Sequence, residues 1–146
     1  MILSPSRHHE PAADSRVILQ SELPPLMAQI LDALSAEVRL ARRESTFQAS
    51  IERALELAGI RFLREYRVRA GRLDFLCPHP PPSPFGVAIE AKTGGSRNEL
   101  IRQSLRYLDA NPFLSGLIIA TTRSSHCQIP TLLASKPVRI WLATYQ

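Results

Sequence analysis

The sequence contains little cysteine and little lysine, and it has no long apolar segment. Its 146 residues include only two cysteines, Cys77 and Cys127, too few for a disulfide scaffold and unlike the spacing of a zinc site. No apolar run approaches the roughly 20 residues that a membrane-spanning helix needs, and the first residues lack the apolar block of a secretory signal. Because 45% of the residues are hydrophobic, the chain can bury a core. We therefore expect a single domain in a reducing cytoplasm, with no membrane partner.

The charge is divided unevenly along the chain. Residues 1–60 hold six arginines and eight acidic residues, a net charge of −2, whereas residues 61–146 hold twelve basic and five acidic residues, a net charge of +7. Of the eighteen basic residues, only Lys92 and Lys136 are lysines. A basic region of this density favours a polyanionic partner, most often nucleic acid.

The first part of the chain is predicted to hold an arm and two helices. Residues 1–20 lack periodicity, and we expect a mobile arm ahead of a single domain over residues 21–146. Apolar residues at helical spacing predict an accessory helix over residues 24–43, which would pack on the core or on a second copy of the chain. Ser45 is typical of a helix cap, and the core is expected to run from there to residue 146. The second helix has one apolar stripe, formed by Phe47, Ile51, Ala54, Leu55 and Ala58.

The rest of the chain is predicted to alternate between strands and helices. Residues 71–77 alternate in polarity, with Leu73, Phe75 and Cys77 on one face. The five prolines within residues 78–84 indicate a stiff surface loop that joins two strands. The predicted order is strand, strand, strand, helix, strand, short helix and strand, over residues 61–69, 71–77, 86–92, 98–108, 116–121, 130–134 and 138–143. This order predicts an α/β fold with a central mixed sheet.

Two acidic residues and a lysine fall in neighbouring predicted strands. Asp74 lies in one strand, and Glu90 and Lys92 lie two residues apart in the next, so that the latter two project from one face. Adjacent carboxylates repel each other and favour a divalent cation, and their oxygen ligands suit Mg²⁺ or Mn²⁺. Such a metal polarises a phosphate and activates a bound water, while a lysine ammonium neutralises developing charge or orients that water. The set suits hydrolysis of a phosphodiester.

The alternative interpretation places these acids on an exposed strand surface, with Lys92 paired to one of them. Their neighbours argue against it, because apolar residues flank both acids: Leu73, Phe75, Ile89 and Ala91. We therefore expect both acids to lie in strands of the core.

The two predicted strands resemble a known family. Gly71-Arg72-Leu73-Asp74-Phe75-Leu76, followed by Val87-Ala88-Ile89-Glu90-Ala91-Lys92, is similar to the motif of the PD-(D/E)xK nuclease superfamily. The family's order of helix, three strands, helix and strand corresponds to residues 45–121, which is roughly half of the chain. Leu73 stands where the family's name has proline, a departure that is common in the superfamily.

The resemblance implies a restriction-endonuclease-like fold and assigns a role to each residue of the motif. Asp74 and Glu90 would bind Mg²⁺ or Mn²⁺, and the carbonyl of Ala91 would be a further ligand. Lys92 would position the attacking water.

The helix after these strands carries a second motif of two residues. Gln103 and Tyr107 share a helix face, which resembles the extra motif of RecB-like and lambda-exonuclease-like nucleases. The resemblance implies that both reach toward the active site or a bound strand. The alternative is that Gln103 is solvated and that Tyr107 packs at the helix edge.

The family often adds an acidic residue from the first core helix. Glu52 lies at the border of the apolar stripe and is the expected residue, whereas Gln48, one turn earlier, competes for the same position. Glu56 lies further from the stripe and is expected to be solvated.

Arginines follow this helix and recur later in the chain. They would contact DNA phosphates, with an affinity that falls steeply with salt. A solvated edge strand is the alternative, since charge at an edge discourages aggregation. The expected DNA-binding residues are Arg61, Arg64, Arg67, Arg69, Arg72, Arg97 and Arg106.

His126 and Cys127 have no histidine or cysteine partners at a suitable spacing in the sequence, so we expect neither catalysis nor zinc binding there.

Taken together, these patterns predict a Mg²⁺- or Mn²⁺-dependent DNA nuclease that recognises DNA structure or backbone more than sequence, with RNA as the alternative substrate. A first alternative is a Holliday-junction-resolvase-like endonuclease, dimeric through the helix at residues 24–43. A second, from another class, is an inactive nucleic-acid-binding or assembly protein with the same fold.

Overall fold

The computed structural model describes residues 23–144. The expected arm over residues 1–20 lies outside the described residues. The helices are α1 (Pro25–Glu37), α2 (Glu44–Leu57) and α3 (Arg97–Ala110), with a 3₁₀ turn at Ser124–Cys127. The strands are β1 (Leu63–Val68), β2 (Gly71–Pro78), β3 (Gly86–Lys92), β4 (Leu114–Thr121), β5 (Leu132–Leu133) and β6 (Lys136–Leu142). No helix within the described residues is long and apolar enough to cross a membrane.

The six strands form one mixed sheet in the order β1-β2-β3-β4-β6-β5. The first three strands pair antiparallel, and β3, β4 and β6 pair parallel. The parallel step from β3 to β4 requires a crossover, which α3 provides. The predicted α/β class with a central mixed sheet is therefore confirmed.

Helices cover both faces of the sheet, and each face has its own apolar cluster. α1 and α2 pack on one face, where Met27, Ile51 and Ile89 are fully buried. α3 packs on the other face, where its Leu108 belongs to one cluster with Leu117 of β4 and Val138 of β6. Because β3 lies between these layers, six of its seven residues are buried, including the single acidic one.

The accessory helix is shorter than predicted and packs on its own chain. α1 ends at Glu37, and the buried Val38 that follows is extended. Its apolar face contacts the core through Leu26, Met27, Ile30, Ala33 and Leu34. Of the two alternatives for this helix, packing on the core describes the structure, and its buried face is covered by its own chain.

The helix predicted over residues 130–134 is wrong. The described structure has β5 there, paired antiparallel with β6 through Leu132–Pro137 and Leu133–Lys136. Ala134 and Ser135 form the two-residue turn, with φ angles of 50° and 60°. Two positive φ angles are typical of a tight hairpin turn, which usually contains Asn or Gly. The sequence lacks those residues here, so the hairpin was not predicted.

The proline-rich segment between β2 and β3 is an exposed loop that joins two neighbouring antiparallel strands, as predicted.

Close packing of α1 on β4 gives a stability prediction. A Cβ at Gly116 would lie 2.6 Å from the sulfur of Met27 and 3.1 Å from the carbonyl oxygen of Pro137. Gly116→Ala should therefore lower the free energy of unfolding by about 1–3 kcal/mol through overpacking. Urea denaturation measures this, with Gly94→Ala as the control because the nearest atom lies 3.8 Å from its Cβ position. Wild-type stability of Gly116→Ala would contradict the packing described here.

Candidate functional site

The strands β2 and β3 separate at the point where the two predicted acids lie. Their regular pairing ends at Phe75 and Ile89. Beyond this pair, the backbone N–H of Asp74 donates to Oε1 of Glu90 at 3.3 Å. The backbone N–H of Ala91 donates to Oδ2 of Asp74 at 2.8 Å. Carboxylate oxygens thus take the place of strand carbonyls, and this exchange brings the two acids together at the fork.

The two acids differ in exposure. Glu90 is only 3% exposed, whereas Asp74 is half-buried. Burial, together with the neighbouring charge of Asp74, raises the pKa of Glu90 to about 9, although the charge of Lys92 opposes the shift. Glu90 therefore needs a compensating positive charge, or a proton, at neutral pH.

Lys92 is half-buried at the end of β3. Within residues 23–144, the ion pairs closer than 4.0 Å join Arg64 to Glu52 and Arg72 to Glu65. Lys92 forms none in that part of the chain, so the alternative in which it simply pairs with one of the acids does not describe the structure.

The side chains of β2 do not alternate as predicted. Leu73 belongs to the cluster on the α3 face, whereas Phe75 and Cys77 belong to the cluster on the opposite face. The expectation that these three share a face is wrong. The change of face falls between Leu73 and Phe75, where the pairing of β2 with β3 ends while its pairing with β1 continues.

Gln103 and Tyr107 lie against the strand that carries Asp74. The hydroxyl of Tyr107 donates to the carbonyl of Arg72 at 3.3 Å, and Nε2 of Gln103 donates to the same hydroxyl at 3.3 Å. The ring of Tyr107 is 5% exposed and lies over Gly71, where a Cβ would approach the hydroxyl to 2.7 Å. Tyr107 is therefore buried and not at the helix edge, Gln103 is half-buried and hydrogen-bonded to it, and the tyrosine hydroxyl contacts β2 two residues before Asp74.

Glu52 and Gln48 both contact one arginine. Nη1 of Arg64 donates to Oε2 of Glu52 at 2.8 Å, and Nη2 donates to Oε1 of Gln48 at 2.9 Å. The guanidinium carbon lies 4.5 Å from the ring centroid of Phe75. The described residues contain no group of three or more His, Cys, Asp or Glu that could hold a metal. Both side chains are thus engaged by Arg64, and Glu56 is exposed as expected.

The expected DNA-binding arginines separate into three groups. Arg64 is engaged by α2, and Arg97 donates to Gln128 at 3.1 Å. Arg72 is exposed with a long ion pair to Glu65 at 3.9 Å. The other members of the set are exposed, namely Arg61, Arg67, Arg69 and Arg106.

A cleft on α3 contains an arginine that the sequence did not single out. Glu99, Arg102, Gln103 and Arg106 line an open cavity of about 490 Å³. Gln103 connects this cleft to Tyr107 and so to β2. The spacing of these four residues along one helix face is the signal that could have predicted Arg102.

His126 was also missed. It is fully buried, with Nδ1 2.7 Å from Oγ1 of Thr121 and Nε2 3.0 Å from the carbonyl oxygen of Gly95. A lone histidine in a loop sequence does not predict such contacts.

The two cysteines differ in exposure. Cys127 is exposed, and burial raises the pKa of Cys77 to about 12, which makes that thiol a poor nucleophile.

No family model, curated protein sequence or solved structure matches this chain. A functional proposal therefore rests on the chemistry and geometry of the site.

The contacts of Arg64 predict that Glu52 stabilises the fold and does not bind metal. Arg64→Met should lower the free energy of unfolding by about 1–2 kcal/mol, since it removes two side-chain hydrogen bonds that are partly screened by solvent. Glu52→Gln keeps an acceptor and should cost less than about 1 kcal/mol. Urea denaturation measures both, with Glu56→Gln as the exposed control on the same helix.

Calorimetric titration of the same variants with Mn²⁺ tests the alternative, in which Glu52 is a metal ligand. We expect Glu52→Gln to bind Mn²⁺ as the wild type does. A loss of Mn²⁺ binding in Glu52→Gln but not in Glu56→Gln would show that Glu52 is a ligand after all.

Proposed function

We propose that this protein is a divalent-metal-dependent nuclease that hydrolyses phosphodiester bonds in DNA. The meeting of Asp74 and Glu90 at the fork of β2 and β3, with Lys92 two residues further along, carries the proposal. The order of α2, β1, β2, β3, α3 and β4 agrees with the helix, three strands, helix and strand of the restriction-endonuclease-like core. We infer that core for residues 44–121.

The donor set at the fork fits a hard divalent cation. Each of Asp74 and Glu90 has one oxygen in a backbone hydrogen bond, which leaves its second oxygen for another partner. Mg²⁺ in proteins that act on phosphates is held by one or two carboxylates, with waters and substrate oxygens completing the shell. Two carboxylates therefore suffice, and the carbonyl of Ala91 is the further ligand that the family resemblance implies.

The residues of the site divide the reaction between them. Asp74 and Glu90 would hold the cation, which when bound would supply Lewis-acid activation of the phosphate and of the attacking water. Lys92 contributes an ammonium group that is not engaged in an ion pair within the described residues. That ammonium can orient the attacking water or neutralise charge on the phosphorane-like transition state.

The substrate surface is proposed to extend from the fork across α3. Gln103 and Tyr107 connect the strand of Asp74 to the cleft that contains Arg102 and Arg106. Arginine forks bind phosphates in bidentate geometry, and such contacts position a nucleic acid without reading its sequence. We therefore propose that DNA is recognised through its backbone.

Substitution of each of the three central residues should strongly lower the rate of cleavage. Asp74→Asn, Glu90→Gln and Lys92→Met should each lower it by about 10²–10³-fold, because the first two weaken the site for the cation and the third removes the ammonium group. The assay uses linear, nicked, branched and single-stranded DNA, and one RNA, with Mg²⁺, Mn²⁺ or EDTA. Asp32→Asn and Glu56→Gln, both exposed, are the matched controls and should cleave as the wild type does.

The alternatives predict different results in the same experiment. A resolvase-like enzyme would cut branched DNA symmetrically and sediment as a dimer. An inactive binding protein would retain DNA in a gel shift but cleave no substrate with any metal. The nuclease proposal fails if no metal-dependent cleavage appears, or if Glu90→Gln and Lys92→Met keep full activity.

A further inference from the structure

The loop that follows Lys92 is held by the segment that follows β4. This loop, residues 93–96, joins the end of β3 to the start of α3 and is here called the lysine loop. The backbone N–H of Thr122 donates to the carbonyl of Lys92 at 3.1 Å. Nε of Arg123 donates to the carbonyl of Thr93 at 3.2 Å, and Nε2 of His126 lies 3.0 Å from the carbonyl of Gly95. Three successive contacts thus connect the two segments.

His126 is the buried member of these contacts. A carbonyl oxygen only accepts, so Nε2 of His126 carries the proton and donates to Gly95. Oγ1 of Thr121 accepts from the N–H of Arg123 at 3.0 Å, and its own hydrogen is then available for Nδ1 of His126 at 2.7 Å. Both ring nitrogens are satisfied in one neutral tautomer, so the orientation of the imidazole is fixed from both sides.

The lysine loop is fixed at both of its ends, to the strands at its start and to α3 at its end. At its start, Lys92 pairs with Thr121 in the parallel register of β3 and β4. At its end, Ser96 caps α3 by accepting from the N–H of Glu99 at 3.2 Å. A change in the loop would therefore move the end of β3 relative to the fork.

We propose that His126 is a positioning residue, which fixes the lysine loop through Gly95 and thereby holds Lys92 in place relative to Asp74 and Glu90. The catalytic consequence rests on the proposed nuclease function. The placement of Lys92 is a property of the fold and can be measured without any substrate.

Two substitutions separate the two bonds of the imidazole. In His126→Gln, the side-chain amide nitrogen can replace Nε2 and donate to Gly95. In His126→Asn, the amide oxygen can replace Nδ1 but the donor to Gly95 is lost. We expect His126→Asn to lower kcat by about tenfold or more with little change in KM, since small displacements of catalytic groups are costly. His126→Gln should stay within about threefold of the wild type by the same reasoning.

His79 provides the matched control for side-chain size and type. Its Nε2 bonds to Oγ of Ser115 at 2.8 Å, beside the opposite end of β2 from Asp74. His79→Gln and His79→Asn should leave both kcat and KM unchanged. A similar fall in kcat in both His79→Asn and His126→Asn would overturn the assignment, because it would reflect general destabilisation.

The position of Lys92 can be followed by NMR without any assay of activity, because the chain has only two lysines. Lys92 and Lys136 are the two lysines of the chain, so protein labelled with ¹³C and ¹⁵N in lysine gives two side-chain signals. Lys92→Arg assigns them. We expect His126→Asn to shift the Lys92 signal, His126→Gln to restore it, and the Lys136 signal to stay in place in both variants.

The outcomes distinguish failure of the two proposals. A shifted Lys92 signal in a protein that cleaves no substrate would overturn the nuclease function and leave the placement of Lys92 by His126 intact. An unshifted Lys92 signal in folded His126→Asn would overturn the positioning role even if the protein is a nuclease. If His126→Asn does not fold, His126→Met, an apolar side chain of similar size with no donor for the carbonyl of Gly95, replaces it and should shift the same signal.

Discussion

The end of the ladder between β2 and β3 is the constraint on which the site depends. A backbone N–H that loses its strand partner needs another acceptor. Asp74 and Ala91 find theirs in the carboxylates of Glu90 and Asp74. Backbone hydrogen bonds thus hold two carboxyl groups together, in a place where one of them is almost fully buried. The divalent cation that we propose for this site would offset both their mutual repulsion and the burial of Glu90.

Burial at the fork follows from the position of β3 in the sheet. β3 has β2 on one side, β4 on the other, and helices over both faces. An acidic residue placed in such a strand is costly unless it is compensated. Glu90 therefore lowers the stability of this part of the core unless a proton or a positive charge compensates it. Residues in the middle of a core that carry unpaired charge are typical of functional sites.

The sequence predicted elements whose signal lies within a short segment. The alternation of residues 86–92 and the apolar spacing of α2 were sufficient to predict β3 and that helix, and the acids were expected in the core. The hairpin turn at Ala134 and Ser135 was not predictable, because neither residue type favours positive φ. The pairing of Glu52 with Arg64 and the two bonds of His126 join segments distant in sequence, and only tertiary structure brings them together.

The two lysines differ in their hydrogen bonding, and this difference decides which basic side chains are available to a substrate. Nζ of Lys136 donates to the carbonyls of Leu108 and Asn111 at 2.8 and 3.0 Å, where it satisfies the C-terminal end of α3. Burial lowers its pKa, with the charge of Asp109 opposing the shift. Arg64 is likewise engaged, by Glu52 and Gln48. The basic part of the chain therefore contains structural cations as well as free ones. A positive net charge alone overstates the surface available to a phosphate backbone, and the cations that remain for it lie on the exposed arginines and on Lys92.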